Sequence, residues 1–165
     1  MIPLTIFAPQ LMLNLLTNGD ALEQQITLLA QASSVNVPSI TADQVLLSSA
    51  SPDLGDKDVQ LTYPRVCLYS AAVRNTQAEK FMSLSGAVSV IADIWASSNL
   101  ATDTDQWIHF YVEAFTAILR QNRGDWGQGL FFSGVYEVQF QPPKPGGVGF
   151  VKWARVTSSL NVSRN

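Results

Sequence analysis

The stretch Thr102–Asp125, TDTDQWIHFYVEAFTAILRQNRGD, decides the fold of this chain. Its apolar side chains recur at steps of three and four residues, the spacing of one helix face: Trp107, Phe110, Tyr111, Ala114, Phe115, Ile118 and Leu119. Thr102–Asp105 offers N-caps and early acids, while Arg120 and Arg123 suit the negative end of the helix dipole and Gly124 is suited to end the helix. The pattern predicts an amphipathic helix of about five turns.

The segments on both sides of this helix have strand patterns. Tyr63–Tyr69 is rich in β formers, and its proline favours an edge strand or the start of a strand. Ala87–Trp95 follows, with four residues that fall on one face: Val88, Val90, Ala92 and Ile94. After the helix, Phe132–Gln141 and Phe150–Val162 alternate in the same way. These segments predict strands of one sheet.

The remaining segments are one further helix and two loops. Leu22, Ile26 and Leu29 recur at helical spacing and predict a helix over about Asp20–Ser33. Ser39–Asp58 is rich in turn residues, and the region from Gln141 to Gly149 is rich in proline and glycine. Because both segments have few apolar anchors, we expect them to protrude and to become ordered against neighbouring molecules.

The order of elements predicts a single α+β domain over residues 1–165. Two helices pack on one face of a largely antiparallel sheet. Residues 1–58 supply the N-terminal helix and loop, and residues 59–165 supply the sheet and the long helix. A chain of 165 residues can bury a core of its own without metals or disulfides.

The composition favours an assembling protein over one that grips nucleic acid. Hydrophobic residues make up 47% of the chain and charged residues 14%, against roughly 25% charged residues in typical soluble domains. Partners are therefore expected to cover part of the apolar surface. The net charge of -3 disfavours binding through a basic face that neutralises phosphates.

The sequence has little reactive chemistry. Cys67 is the single cysteine, so an internal disulfide is excluded, and we expect a buried thiol. His109 lies opposite much of the apolar helix stripe and has no carboxylate placed in sequence to orient it. No ligand spacing indicates a metal site, and no segment reaches the ~18 apolar residues of a membrane span. We therefore expect a soluble protein with no catalytic residue, cofactor, metal or membrane partner.

Two groups of residues are candidates for an interface. Trp126, Phe131 and Phe132 are aromatic residues beside glycines at an element junction, where they either seal the edge of a core or anchor a partner. The second group is polar: Lys144, in the proline-rich loop, together with Asp56 and Asp58. Asp53, Asp56 and Asp58 lack the spacing of an EF-hand loop, so a solvated turn is the favoured interpretation of that cluster.

Several short motifs resemble the tail-terminator family of long-tailed bacteriophages. They span about Tyr63 to Val162 and are Tyr63-Pro64-Arg65-Val66, Asn75-Thr76-Gln77, Glu79-Lys80-Phe81, Ser85-Gly86, Tyr111-Val112-Glu113-Ala114, Asn122-Arg123-Gly124-Asp125-Trp126-Gly127, Tyr136-Glu137-Val138, and Lys144 with Gly146-Gly147. The segment Arg123–Gly127 is the most distinctive of them. The additional prolines of the loop and the N-terminal third depart from the family pattern.

The resemblance implies a structural virion protein that acts by self-assembly. Members of the family form a hexameric ring on the tail tube, end its polymerisation and offer a docking face to the neck or head-completion protein. The ring would sit at the head-proximal end of the tail after assembly in the host cytoplasm, and DNA would pass through its lumen without specific binding. Two alternatives stay open: another head-tail joining protein, and a small hydrolase or ligand-binding domain that uses Trp126 and the acids near Asp56.

Overall fold

The computed structural model describes residues 2–48 and 62–165. The helices and strands in these residues are α1 Leu4–Thr17, α2 Ala21–Ser33, β1 Val45–Leu47, β2 Arg65–Asn75, β3 Leu84–Ser98, α3 Ala101–Gln121, β4 Gly124–Gly127, β5 Leu130–Phe140, β6 Lys144–Gly146 and β7 Gly149–Arg164. The α+β prediction is confirmed, and the two predicted helices are α2 and α3. None of the helices in the described residues is long and apolar enough to cross a membrane.

One sheet contains all seven of the described strands. Its order is β1-β2-β3-β7-β5-β4, and β6 pairs with β7 off this path. Within the described part of the chain β1 and β2 are the parallel pair, and the other pairs are antiparallel. The prediction of a largely antiparallel sheet is therefore confirmed.

The two faces of the sheet differ in what contacts them. The first, called the covered face, packs against the helices and carries the four alternating residues of β3 predicted to share a face: Val88, Val90, Ala92 and Ile94, each at most 1% exposed. Successive side chains of a strand point to opposite sides, so Ile91, Asp93 and Trp95 lie on the other side, called the opposite face. In β7, Val156 and Leu160 belong to the covered face.

Helix α1 forms in a segment to which the sequence patterns assigned no element. Pro9 lies inside it and has no N–H to donate to the carbonyl of Thr5, the residue four positions earlier. The hydroxyl of Ser70 in β2 donates to that carbonyl at 2.8 Å instead. Tertiary contact thus satisfies the group that proline leaves unpaired, and α1 buries Met12 and Leu16 in the core.

The predicted boundaries need corrections at the long helix. Helix α3 ends at Gln121, and Asn122 caps it by donating from Nδ2 to the carbonyl of Ile118 at 2.8 Å. Gly124 therefore begins β4 and does not end the helix. Arg123 lies just beyond the last helical turn.

The two predicted loops contain short strands. The segment Ser39–Asp58 includes β1, whose three residues pair with β2, and residues 49–58 lie outside the described part of the chain. The proline-rich segment includes β6, in which Lys144 and Gly146 pair with β7 on either side of Pro145. Strands of three residues are too short to show an alternating pattern. They are stabilised by contact with a neighbouring strand, which the local sequence does not reveal.

Candidate interaction surfaces

The segment Arg123–Gly127 forms a compact junction between α3 and the sheet. Gly124 and Gly127 adopt positive φ angles of 121° and 86°, which favour glycine. The backbone N–H of Gly127 donates to Asp125 Oδ1 at 2.7 Å. Gly134 has room for the Arg123 side chain, because a Cβ at Gly134 would lie 2.6 Å from Arg123 Nε. The junction therefore has a defined backbone geometry on which Trp126 is placed.

Trp126 packs where the long helix meets the sheet. Its indole Nε1 donates to the carbonyl of Asn122 at 2.7 Å, and its ring lies 5.4 Å from the ring of Phe132 at 45°. Trp126 is half-buried and Phe132 is fully buried. Both residues therefore seal the edge of the core, the first of the two roles considered for them. The outer part of Trp126 remains accessible to a partner.

A cleft of about 660 Å³ opens beside Trp126. It lies between the ends of α1 and α3 and β4, and its walls include Leu11, Leu15, Asn122 and Asp125. Asp125 is the one acidic residue among its described lining residues, and His109 is not part of it. The cleft therefore lacks the histidine with two carboxylates that would indicate a hydrolase.

The other predicted interface residues lie apart from Trp126. Phe131 points away from Phe132, because consecutive strand residues alternate, and it is 48% exposed. Lys144 lies in β6, at the end of the sheet where β7 begins, and is half-buried. Asp56 and Asp58 lie outside the described residues. The structure thus brings together Trp126 and Phe132 and separates them from Phe131 and Lys144.

The opposite face contains a polar network that the sequence patterns did not indicate. Arg155 binds Asp93 through two hydrogen bonds, from Nε to Oδ1 at 2.8 Å and from Nη2 to Oδ2 at 3.0 Å. The Tyr69 hydroxyl donates to Asp93 Oδ2 at 3.0 Å and accepts from Arg155 Nη2 at 3.0 Å. The side chain of Asp93 is 8% exposed, so a buried carboxylate is paired across three strands.

Aromatic and guanidinium groups stack beside this network. The rings of Trp95 and Trp153 lie 5.3 Å apart at 16°. Arg155 lies 5.1 Å from the Trp153 ring, and Arg65 lies 5.2 Å from the Tyr63 ring and 5.5 Å from the Trp95 ring. These distances are within the range of cation–π contact.

Of the two arginines in this stack, Arg65 is buried to an unusual degree for a charged residue. Arg65 is 1% exposed, and its Nε and Nη2 atoms have no hydrogen-bond partner among the described residues. The neighbouring carboxylate of Asp93 is bonded by Arg155 instead. The described contacts of the Arg65 guanidinium include the rings of Tyr63 and Trp95.

Two acidic groups near this stack have raised pKa values. Burial, followed by the charge and hydrogen bond of Asp93, raises the pKa of Tyr69 to about 12. Cys67 is buried, as predicted, and this burial raises the pKa of its thiol, which makes it a poor nucleophile at neutral pH. Both side chains are therefore uncharged at neutral pH.

Metal-ligating side chains lie apart from one another in the described ranges, where no three of them meet. His109 is exposed and packs against Phe140, with ring centroids 4.7 Å apart, as expected for a residue outside the apolar stripe. A signal for the polar network exists in the sequence, because Asp93 with Trp95 and Trp153 with Arg155 are spaced two apart in two strands. The alternating apolar residues predict the covered face of each strand, and they give no information about which residues pair on the opposite face.

Comparison of the chain with protein-family models and with curated protein sequences found no match.

Proposed function

We propose that this chain is a structural subunit that ends the tail tube of a long-tailed bacteriophage. Copies join in a ring, hexameric by resemblance to the tail-terminator family, which stops tube polymerisation and presents a docking face to the neck. The observation that carries the proposal is the motif series between Tyr63 and Val162, above all Arg123–Gly127. Each glycine of that segment has a positive φ, so the motif coincides with a specific backbone conformation.

The surface of the subunit supports assembly into a ring. A cyclic ring joins two different patches of each subunit head to tail. Exposed apolar side chains lie near both edges of the sheet: Leu46, Leu47 and Val73 at one edge and Phe131, Val135 and Phe140 at the other. Burial of such side chains between subunits is the main favourable term in association.

The charge of the subunit supports a lumen through which DNA can move. A net charge of -3 gives no excess of cations to hold phosphates. The guanidinium of Arg155 is paired with Asp93, and that of Arg65 is buried. Passing DNA would therefore meet little resistance from phosphate binding.

Assembly on tail tubes tests this function. Purified protein is examined by light scattering alone and then mixed with tube subunits encoded by the same genome. We expect rings, tubes capped at one end, and arrest of tube growth. A chain that stays monomeric at high concentration and also leaves tube growth unchanged would refute the function. Both results are needed because a terminator can assemble on the tube alone.

A further inference from the structure

Each edge of the sheet has a segment that no described residue pairs with on its outer side. At one edge, β1 pairs with Val66–Leu68, and none of the described residues pairs with the outer side of Ser70–Asn75 in β2. At the other edge, β4 pairs with residues 130–132 of β5, and no described residue pairs with the outer side of Tyr136–Phe140. Unpaired edges present backbone N–H and C=O groups that can bond to another strand.

The free segment of β2 is apolar on one face and basic on the other. Val73 lies in register with the buried Val88, so it belongs to the covered face, and it is 42% exposed. Arg74 lies in register with Ala87 and therefore belongs to the opposite face. The side chain of Arg74 makes no hydrogen bond or ion pair within the described ranges.

The free segment of β5 has the same division of faces with the opposite charge. Val138 lies in register with the buried Val156 on the covered face, and Glu137 lies in register with Thr157 on the opposite face. Glu137 is exposed, and its described contact is an accepted hydrogen bond from Gln139 Nε2 at 2.9 Å. The two edges are therefore complementary in both polarity and charge.

Strand direction permits the two edges to pair between copies. Three successive antiparallel pairings run from β2 through β3 and β7 to β5, so β5 is antiparallel to β2. We propose that residues 136–140 of one copy pair with residues 70–75 of the next, with Glu137 opposite Arg74 and Val138 opposite Val73. This interface rests on the proposed ring and identifies the surfaces that would close it.

The offset between the two segments is compatible with a closed ring. Within one copy Glu137 lies in the row of Ile91, and Arg74 lies in the row of Ala87, four residues earlier in β3. With a rise of ~3.4 Å per residue and a spacing of ~4.8 Å between strands, each copy shifts ~14 Å along the strands for ~19 Å of width. The corresponding strand tilt is about 35°, a value typical of closed β-barrels. With this tilt, successive copies are related by rotation about the ring axis without a shift along that axis, so the ring can close.

A pair of introduced cysteines tests the contact directly. In one chain positions 74 and 137 lie on strands three spacings apart, about 14 Å, whereas a disulfide needs Cα atoms within ~7 Å. The double variant Arg74→Cys/Glu137→Cys can therefore form this disulfide between copies alone, and Cys67 is buried. Under oxidation we expect a ladder of covalent multimers up to the size of the ring. The matched control is Arg74→Cys with Glu113→Cys, an exposed position on α3, and it should give no ladder.

Charge exchange tests the register. Arg74→Glu and Glu137→Arg should each weaken association by roughly threefold to fivefold per interface, as cross-strand charge pairs do. The double exchange should restore it. If the parent forms rings and caps tubes while the cysteine pair fails to link, the interface is overturned and the ring function stands. If the parent neither forms rings nor caps tubes but the pair still links, the function fails and the edge contact stands.

Discussion

The covered face and the opposite face of the sheet are stabilised in different ways, although the same strands form both. The covered face buries aliphatic and aromatic side chains against three helices, so its contribution comes from burial of apolar area. On the opposite face the side chains of Asp93, Arg155 and Tyr69 satisfy one another at defined distances. Apolar burial stabilises the fold. The buried carboxylate of Asp93 disfavours other strand registers, because in them it would lose its hydrogen-bond partners.

Substitution on the covered face should have the largest effect. Phe132→Ala removes a fully buried ring that packs on Trp126, and we expect it to lower the free energy of unfolding by about 3–5 kcal/mol. Denaturant unfolding measures the change. The matched control is Phe131→Ala at the neighbouring, exposed position, for which we expect a loss of less than about 1 kcal/mol. Similar losses at both positions would contradict the division of faces.

The opposite face should respond asymmetrically to loss of its two charges. Arg155→Ala leaves the buried Asp93 carboxylate without its cation, at an expected cost of about 2–4 kcal/mol. Asp93→Ala leaves Arg155, whose side chain is 34% exposed and can be hydrated, so we expect about 1–2 kcal/mol. Thermal unfolding of the two single variants and the double variant measures the asymmetry. Equal costs would show that burial of Asp93 does not govern the pair.

Trp126 lies between these extremes because it is half-buried. Trp126→Ala loses part of its apolar contact and the hydrogen bond to Asn122, and we expect a loss of about 1–3 kcal/mol. Trp126→Phe keeps the ring contact and should recover most of that stability. Unfolding and ring assembly are measured together. If the free subunit keeps its stability while assembly fails, Trp126 is an interface anchor.

The smallest effect should appear at alkaline pH. Folding raises the pKa of Tyr69 to about 12 from about 10, so its stabilising contribution is complete below pH 10 and is lost as pH rises towards 12. Tyr69→Phe should therefore be slightly less stable at neutral pH and lose less stability between pH 10 and 12. Tyr111, whose pKa burial also raises, contributes in the same range and remains in both proteins. Parallel stability curves for the two proteins would exclude Tyr69 as a source of the alkaline loss.

The sequence predicted the covered face better than the opposite face. Alternation of Val88 to Ile94 and the helical spacing from Trp107 to Leu119 identified elements that the structure confirms, because apolar burial has a period. Pairing of Asp93 with Arg155 depends on the register between strands that are far apart in sequence. The two-residue spacing within each strand is a signal for the polar residues, but it does not indicate which of them pair, so the fold class was predictable and the pairing was not.

The positions of the candidate interface residues followed from the sequence only in part. Trp126 and Phe132 do meet at an element junction, because the glycines around them force a turn beside the end of α3. Phe131 belongs to the same predicted aromatic group, but the two-residue period of β5 places its side chain on the other face of the sheet. The phage-tail role and the ring stay predictions for the assembly experiments.

The pairing of β3 with β7 has a consequence for how the chain is made. The paired residues are 52 positions apart in sequence at one end of the ladder, Ser98 with Phe150, and 80 positions apart at the other end, Leu84 with Arg164. A ribosome synthesises β2, β3 and β5 before β7, the strand that lies between β3 and β5. Until β7 emerges the nascent chain holds β3 and β5 without their shared neighbour, so the sheet completes after translation of its central strand. Such long-range pairing slows folding and exposes strand edges to aggregation in the meantime.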